Sequence, residues 1–149
     1  MKRLIAIAFF VILVGCASKG PQTKIDKNYQ VGVEKHAAIG EAMVSQDQTT
    51  TPPTSTMILK TLAYNPYDRG PVDPCAMGDK FRQELIYTGK AGSIIKITYK
   101  EYKCDLARPS FFQDLTYDLS QSSTVVFKNF KLNIVKADNE VVTFTVLSE

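Results

Sequence analysis

One seven-residue stretch decides the fold of this chain: Phe81-Arg82-Gln83-Glu84-Leu85-Ile86-Tyr87. Successive side chains of a β-strand point to opposite faces of its sheet. In an extended strand, Phe81, Leu85 and Tyr87 therefore share one face, and Arg82 and Glu84 lie on the other. This alternation predicts a strand of an antiparallel sheet, with an apolar face toward the core and a polar face toward solvent.

The same pattern recurs 30 residues later, in Phe111-Phe112-Gln113-Asp114-Leu115-Thr116-Tyr117. The correspondence continues into the residues that follow, where turns are predicted at 89–92 and 120–123. Two amphipathic hairpins can share such a rhythm by convergence, but a Gln and an acid at equivalent places favour a repeat. We therefore expect two similar hairpins, in which Leu85 and Leu115 both face the interior.

Other parts of the chain alternate in the same way. Strong strand patterns lie at 95–99, 130–134 and 142–146, and weaker ones at 29–33 and 57–64. Residues 35–45 fit either a strand or a helical turn, because an alanine-rich start is followed by a glycine and an aliphatic run. The sequence predicts an all-β fold, an antiparallel β-sandwich or partly closed barrel of six to eight strands.

Two connections are rich in turn residues. Residues 47–56 read Asp-Gln-Thr-Thr-Thr-Pro-Pro-Thr-Ser-Thr, a loop of the disordered type, because proline cannot donate to a strand ladder. A longer loop at 64–79 holds the candidate binding residues Tyr64, Tyr67, Asp68 and Arg69. Tyrosine and arginine are enriched where proteins contact their partners. The alternative is an ordinary structural loop.

The first 14 residues differ in composition from the rest of the chain. Lys2 and Arg3 form a positive region, and an uncharged apolar run of eleven residues follows at 4–14. Such a run is too short to cross a membrane as a helix, which needs about 20 apolar residues. A positive start, a short apolar run and a small residue before the cleavage point are typical of a secretory signal peptide. The alternatives are a buried N-terminal helix and a membrane anchor that stays uncut.

The end of this run, Leu13-Val14-Gly15-Cys16, resembles the lipobox of bacterial lipoproteins. The resemblance implies a diacylglycerol on the Cys16 thiol, cleavage just before Cys16, and an acyl chain on the new amino group. Several acyl chains give stable anchoring to a membrane. Because Ala17-Ser18 follows instead of an aspartate, the resemblance also implies the outer membrane and its periplasmic face, with the inner membrane and the cell surface left open. No other cofactor is expected.

These boundaries divide the chain into three parts. Residues 1–15 are the expected signal peptide, 16–27 a flexible lipid-anchored spacer, and 28–149 the β-domain. Removal of the signal peptide lowers the 18 basic residues to 16 against 15 acidic ones, so the net charge falls from +3 to +1. A nucleic-acid partner is therefore not expected, because such partners need a strongly basic surface.

Once the lipobox cysteine is set aside, Cys75 and Cys104 remain. An even pair of cysteines in an exported protein favours a disulfide. Zinc is the rival interpretation, but it usually takes four ligands, and the one histidine, His36, is distant in sequence. We expect a Cys75–Cys104 disulfide and no metal site. If the first hairpin is centred within its turn at 89–92, Cys104 lies opposite Met77, two places from Cys75.

The sequence holds none of the short motifs that mark common enzymes. It contains no Gly-x-Ser-x-Gly elbow, glycine-rich phosphate loop or His-Glu-x-x-His helix. Asp114 and Asp118 fall on the predicted solvent face of a strand. The stretch Lys100-Glu101-Tyr102-Lys103 brings aromatic and cationic groups together, although lysines on a strand also protect an exposed sheet edge. We therefore expect no catalytic residues and no enzymatic activity.

A second resemblance concerns the folded part. Gln83-Glu84-Leu85-Ile86-Tyr87-Thr88-Gly89 and Tyr117-Asp118-Leu119 are similar to segments of small, uncharacterised proteobacterial lipoproteins, which implies no particular activity. The expected function is that of a lipid-anchored, non-catalytic protein facing the periplasm. It would dock to another envelope protein, for example within a secretion or conjugation assembly. The alternative is a small-ligand-binding or inhibitor module that uses the 64–79 loop.

Overall fold

The computed structural model of the protein describes residues 20–53, 75, 78–104 and 106–149. These residues form nine strands: β1 (Gln22–Lys27), β2 (Glu34–Ala38), β3 (Ala42–Thr51), β4 (Asp79–Ala91), β5 (Ile94–Lys103), β6 (Leu106–Asp118), β7 (Thr124–Phe127), β8 (Phe130–Ala137) and β9 (Val141–Ser148). No helix long and apolar enough to cross a membrane occurs in this described part. The predicted all-β class is confirmed, with nine strands where six to eight were expected.

The strands form two antiparallel sheets. The five-stranded sheet has the order β1-β3-β4-β5-β6, and the four-stranded sheet has the order β2-β9-β8-β7. One hydrophobic cluster joins them, because it takes buried side chains from both sheets. Its largest fully buried members are Tyr87, Tyr99, Phe130, Phe144, Met43, Leu85, Ile95, Ile97 and Leu132. The architecture is therefore a β-sandwich with its core between the sheets.

Strand alternation predicted the buried face correctly. Leu85, Tyr87, Ile95 and Ile97 are all 0% exposed. Burial of one such side chain contributes about 1.5–3 kcal/mol, so the residues singled out by period two supply much of the stabilisation. Leu115 packs against the same cluster but is only partly buried, because β6 is an edge strand of its sheet.

The register of the first hairpin differs from the prediction. Leu85 pairs with Tyr99, and a bulge between Tyr87 and Gly89 shifts the following pairs by one residue. The turn therefore falls at Gly92 and Ser93, beyond the centre expected within 89–92. Gly92 has a φ of 62°, a left-handed conformation that glycine adopts at little steric cost. The predicted position of Cys104 opposite Met77 is consequently wrong, since the amide of Cys104 donates to the carbonyl of Lys80 over 2.8 Å.

The second repeat does not form a hairpin with the strand after it. β6 pairs with β5, whereas β7 pairs with β8 in the other sheet. The chain crosses between the sheets after Asp118, whose carboxylate accepts hydrogen bonds from the amide and hydroxyl of Ser120. The two repeated segments therefore flank β5 on opposite sides. The two segments share one pattern of alternation because both pair with β5, and they do not form two equivalent hairpins.

The N-terminal part is more ordered than expected. Residues 22–27, predicted as half of the flexible spacer, form β1 and pair along their whole length with β3. Residues 47–51, predicted as loop, are the end of β3, while the prolines that follow lie outside it. The ambiguous segment 35–45 contributes strands β2 and β3. Residues 29–33, predicted as a short strand, instead connect β1 to β2: an isolated bridge joins Val31 to Val146, and Tyr29 packs into the core against Phe130.

Candidate functional site

Several predicted site residues lie outside the described residues. These are the lipidation site Cys16 and the candidate binding residues Tyr64, Tyr67, Asp68 and Arg69. His36 is described and lies in β2, where its Nδ1 atom is 2.9 Å from the hydroxyl of Thr143. It belongs to the four-stranded sheet, whereas Cys104 follows the last residue of β5 in the other sheet. The structure does not join the histidine to a cysteine.

The predicted disulfide between Cys75 and Cys104 is present, with 5.3 Å between the two Cα atoms. It ties the turn before β4 to the end of β5, and the amide of Gly78 donates to the carbonyl of Cys75 over 3.0 Å. Asp79 brings a carboxylate oxygen within 4.8 Å of both sulfur atoms. Because metals bind thiolates and these sulfurs are joined to each other, only the carboxylate remains as a ligand. The pair is therefore a structural cross-link.

A row of polar side chains crosses the core side of the five-stranded sheet. Register places Lys27, Gln46, Gln83 and Glu101 next to one another on β1, β3, β4 and β5. The amide of Gln83 donates to Gln46 over 2.9 Å. Glu101 is only 4% exposed. The row closes one end of the apolar core.

Glu101 is held by groups from both sheets. The hydroxyl of Tyr99 donates to its carboxylate over 2.6 Å, and the ammonium of Lys128, in the β7–β8 turn, pairs with it as well. The same ammonium lies 2.9 Å from the Tyr99 hydroxyl and 4.2 Å from the centre of the Tyr99 ring. Burial and the neighbouring carboxylate raise the pKa of Tyr99 well above its usual value. Because its Oε1 atom accepts from both Tyr99 and Lys128, Glu101 joins the two sheets, and this contact is here called the inter-sheet clamp.

The first strand, β1, and the last strand, β9, are joined in a similar way. The carboxylate of Glu149 accepts hydrogen bonds from Lys27 and Tyr29. These bonds lower the pKa of Glu149, while burial and the same carboxylate raise the pKa of Tyr29. Glu149 follows β9 and Lys27 ends β1, so this contact also ties the four-stranded sheet to the five-stranded one.

The clamp gives a direct prediction. Replacing Lys128 with Met should lower the free energy of unfolding by about 1–3 kcal/mol, because the buried carboxylate loses a charged donor. The lysine side chain is 41% exposed, so water can replace part of the lost bond. Urea denaturation measures the change, and Lys131→Met, at an exposed position of β8, is the matched control. An unchanged midpoint in the Lys128 variant would contradict the clamp.

The opposite, solvent side of β4, β5 and β6 carries a different set of groups. This surface, here called the β4–β6 face, consists of Arg82, Glu84, Lys96, Thr98, Lys100, Tyr102, Phe112, Asp114 and Thr116. β5 lies between β4 and β6. Its lysines therefore do not protect a sheet edge, so the edge-protection interpretation is wrong, and the four residues Lys100-Glu101-Tyr102-Lys103 do not share one face. Tyr102 and Lys100 point outward, whereas Glu101 points to the core.

Arg82 is the most constrained residue of the β4–β6 face. Its guanidinium carbon lies 4.5 Å from the centre of the Tyr102 ring. Its Nε atom is 3.4 Å from Glu84 and 3.9 Å from Asp47, yet it is buried and makes no hydrogen bond within the described structure. Burial, followed by the nearby Glu84, raises the pKa of the Tyr102 phenol. A buried N–H without a hydrogen bond is costly, and the nearby carboxylates of Glu84 and Asp47 offset part of that cost.

The other half of the β4–β6 face is more open. Phe112 is 48% exposed, and the ammonium of Lys100 lies 5.5 Å from the centre of its ring. Beside them runs an open groove of about 400 Å³, lined in part by Lys96, Thr98 and Asp114. The hydroxyl of Thr98 donates to Asp114 over 2.7 Å. The groove therefore offers a cation, a carboxylate and hydroxyls next to an exposed aromatic ring.

These groups suit recognition. Arginine, tyrosine and other aromatic residues supply most of the binding energy in protein interfaces. The arginine is already held in place by the Tyr102 ring and two acids, so little side-chain entropy is lost when a partner binds. Alternation indicates which side chains belong to this face. Arg82 and Glu84 were assigned to solvent on β4, and Tyr102 continues the outward alternation of Lys100 on β5.

Comparison with known protein families, with curated proteins and with solved structures finds no match for this chain.

Proposed function

We propose that this protein is a lipid-anchored, non-catalytic component of the bacterial envelope that docks to another envelope protein through the β4–β6 face. The observation that carries the proposal is the Arg82–Tyr102 stack beside the half-exposed Phe112. The lipobox at Leu13-Val14-Gly15-Cys16 supports the anchor, and Ala17-Ser18 supports the outer membrane and its periplasmic face. A secretion or conjugation assembly is one setting that needs such a component.

The charges of the face indicate the kind of partner surface. Arg82 has two acids within 4.0 Å, whereas Lys96 and Lys100 make no ion pair with another described residue, and the Lys100 ammonium lies over the Phe112 ring. A partner that presents an apolar side chain to Phe112 and an acidic group to these lysines would complement both. Such pairing mainly sets the orientation and specificity of docking.

Affinity capture from envelopes tests the proposal when it is combined with variants of the face. The native lipidated protein should retain its partner, and Arg82→Ala and Phe112→Ala should each weaken binding of that partner about 30-fold, as expected for anchor residues worth about 2 kcal/mol. Val126→Ala, at a 54% exposed position of the four-stranded sheet, is the matched control. Equal retention by all variants would contradict the assignment of the face.

The anchor is tested separately. Cys16→Ser should prevent lipidation and cleavage, and thus leave an uncut protein some fifteen residues longer than the mature form. Intact-mass measurement distinguishes the two forms. Normal processing and membrane retention of this variant would contradict the lipoprotein assignment. The small-ligand or inhibitor alternative depends on the 64–79 loop, most of which lies outside the described residues, and stays a prediction.

A further inference from the structure

The tether between lipid and sheet is short. β1 begins at Gln22, so only residues 17–21 separate it from Cys16. A fully extended chain spans at most about 3.3–3.6 Å per residue, which places the first residue of β1 within roughly 20 Å of the lipid-bearing cysteine. The predicted spacer of 16–27 would have allowed twice that reach. The part of the sandwich that faces the membrane is therefore restricted.

The sandwich has two distinct ends. Gln22 pairs with Thr51, and Thr50 pairs with Asp79, so β1, β3 and β4 all have a terminus at what is here called the tethered end. The four turns at 39–41, 92–93, 119–123 and 138–140 form the far end, where the amide of Ile39 donates to Glu140 and that of Leu119 to Ser93. β4 contains 13 residues, so the two ends are about 40 Å apart along the strands.

Charge differs between the two ends. Among the residues that the structure describes at the tethered end, exposed lysines at positions 24, 80 and 103 accompany two aspartates, Asp26 and Asp79, which pair with Lys24 and Lys103. Ile25, 48% exposed, lies next to Lys24 on β1. The far end carries Glu41, Asp118, Asp138 and Glu140 against Lys90 and Lys136. Hydrogen bonds from backbone amides lower the pKa of Asp118 and of Asp138, so both acids stay ionised in neutral solution.

We infer that the tethered end lies against the lipid headgroups of the membrane, with Lys24, Lys80 and Lys103 toward anionic lipids, and that the acidic far end points away. Each lysine near an anionic surface contributes about 1 kcal/mol, the paired Asp26 and Asp79 offset part of this attraction, and the effect fades within a Debye length. The acids of the far end would be repelled if that end approached the same surface. In this orientation the β4–β6 face stands upright beside the membrane and is open to a protein partner. The inference rests on the proposed anchor at Cys16.

Fluorescence quenching in vesicles tests the orientation. The full-length lipidated protein is reconstituted in phosphatidylcholine vesicles with and without phosphatidylglycerol, together with lipids that carry a quencher on the headgroup. A fluorophore is attached through Gln48→Cys near the tethered end or through Asn139→Cys at the far end, both exposed positions. We expect strong quenching at position 48 and little at position 139. Equal quenching at both would overturn the inference, because the domain would then lie flat.

Charge reversal tests the role of the lysines. The triple change Lys24→Glu, Lys80→Glu and Lys103→Glu should abolish the gain in quenching that phosphatidylglycerol gives at position 48. The matched triple change of Lys96, Lys131 and Lys136 to Glu should leave it intact, and equal effects of the two sets would overturn the assignment of these lysines. The comparison of quenching at positions 48 and 139 uses protein without lysine substitutions, so it does not depend on whether the triple variants fold.

The outcome separates the anchor from the orientation. Intact mass of the protein before reconstitution shows whether lipid is attached to Cys16. A protein without lipid would contradict the proposed anchor and this inference with it. A lipidated protein whose two labels are quenched equally would contradict the orientation alone and leave the anchor standing.

Discussion

Loss of the Cys75–Cys104 bond should destabilise the folded domain by about 3–4 kcal/mol. The bond joins residues 29 apart in sequence, and in the chain-entropy model a closed loop of this length restricts the unfolded chain by about that amount. Against a typical total of about 5–15 kcal/mol, the loss is large. The bond also ties the turn before β4 to the end of β5. Its removal should therefore loosen the β4–β6 face first at the place where β4 begins and β5 ends.

Two measurements check the disulfide. Mass spectrometry of the unreduced protein should show one peptide pair linked through Cys75 and Cys104, and urea denaturation with and without reductant should show the loss of stability. The double variant Cys75→Ala, Cys104→Ala is the control, because reductant should not change its midpoint. Both cysteines reacting with an alkylating agent before reduction would contradict the cross-link.

Leu85→Ala should lower the free energy of unfolding by about 2–5 kcal/mol, because the side chain is 0% exposed and its removal leaves a cavity. Leu115→Ala, at the equivalent place of the repeat, should cost less, since Leu115 lies on an edge strand and is only partly buried. The two substitutions remove the same atoms, so the difference between them measures the difference in packing.

Asp114→Ala changes the exposed residue next to Leu115 on β6 and is the matched surface control. It should change the free energy of unfolding by no more than about ±0.5 kcal/mol. Chemical denaturation of the three variants under the same conditions gives the comparison. A silent Leu85 variant with a severe Asp114 variant would mean that the faces are exchanged, because a slip of one residue turns every side chain of a strand to the other side.

Local pattern predicted much of this fold. The strands at 81–87, 95–99, 130–134 and 142–146, and the side chains that each one buries, follow from period two alone, because a strand that lies between a core and water must alternate. The disulfide was also predictable, since an even pair of cysteines, Cys75 and Cys104, remained once Cys16 was set aside, and such a pair favours a disulfide in a chain that is expected to be exported. The extent of β1 was missed, because 22–27 is exposed and holds a single apolar residue, Ile25, and only pairing with β3 makes it a strand.

The candidate site was only half visible in the sequence. Arg82 and Glu84 were placed on the solvent side correctly, but their contact with Tyr102 depends on the β4–β5 register, which the bulge and the turn at Gly92 decide. Glu101 continues the inward phase of Ile97 and Tyr99, and that phase was a usable signal for a buried acid. Its partner Lys128 comes from the other sheet, and no local pattern indicates it.

By itself, the sequence determined the class of fold, the core residues of the strong strands and the pairing of Cys75 with Cys104. The tertiary structure alone decided which strands pair, that the chain crosses between sheets after Asp118, and that β5 is an internal strand. The physical reason is the range of the interactions. Alternation and turn residues act over a few neighbours, whereas strand order, register and the Glu101–Lys128 clamp depend on contacts between segments far apart in the chain.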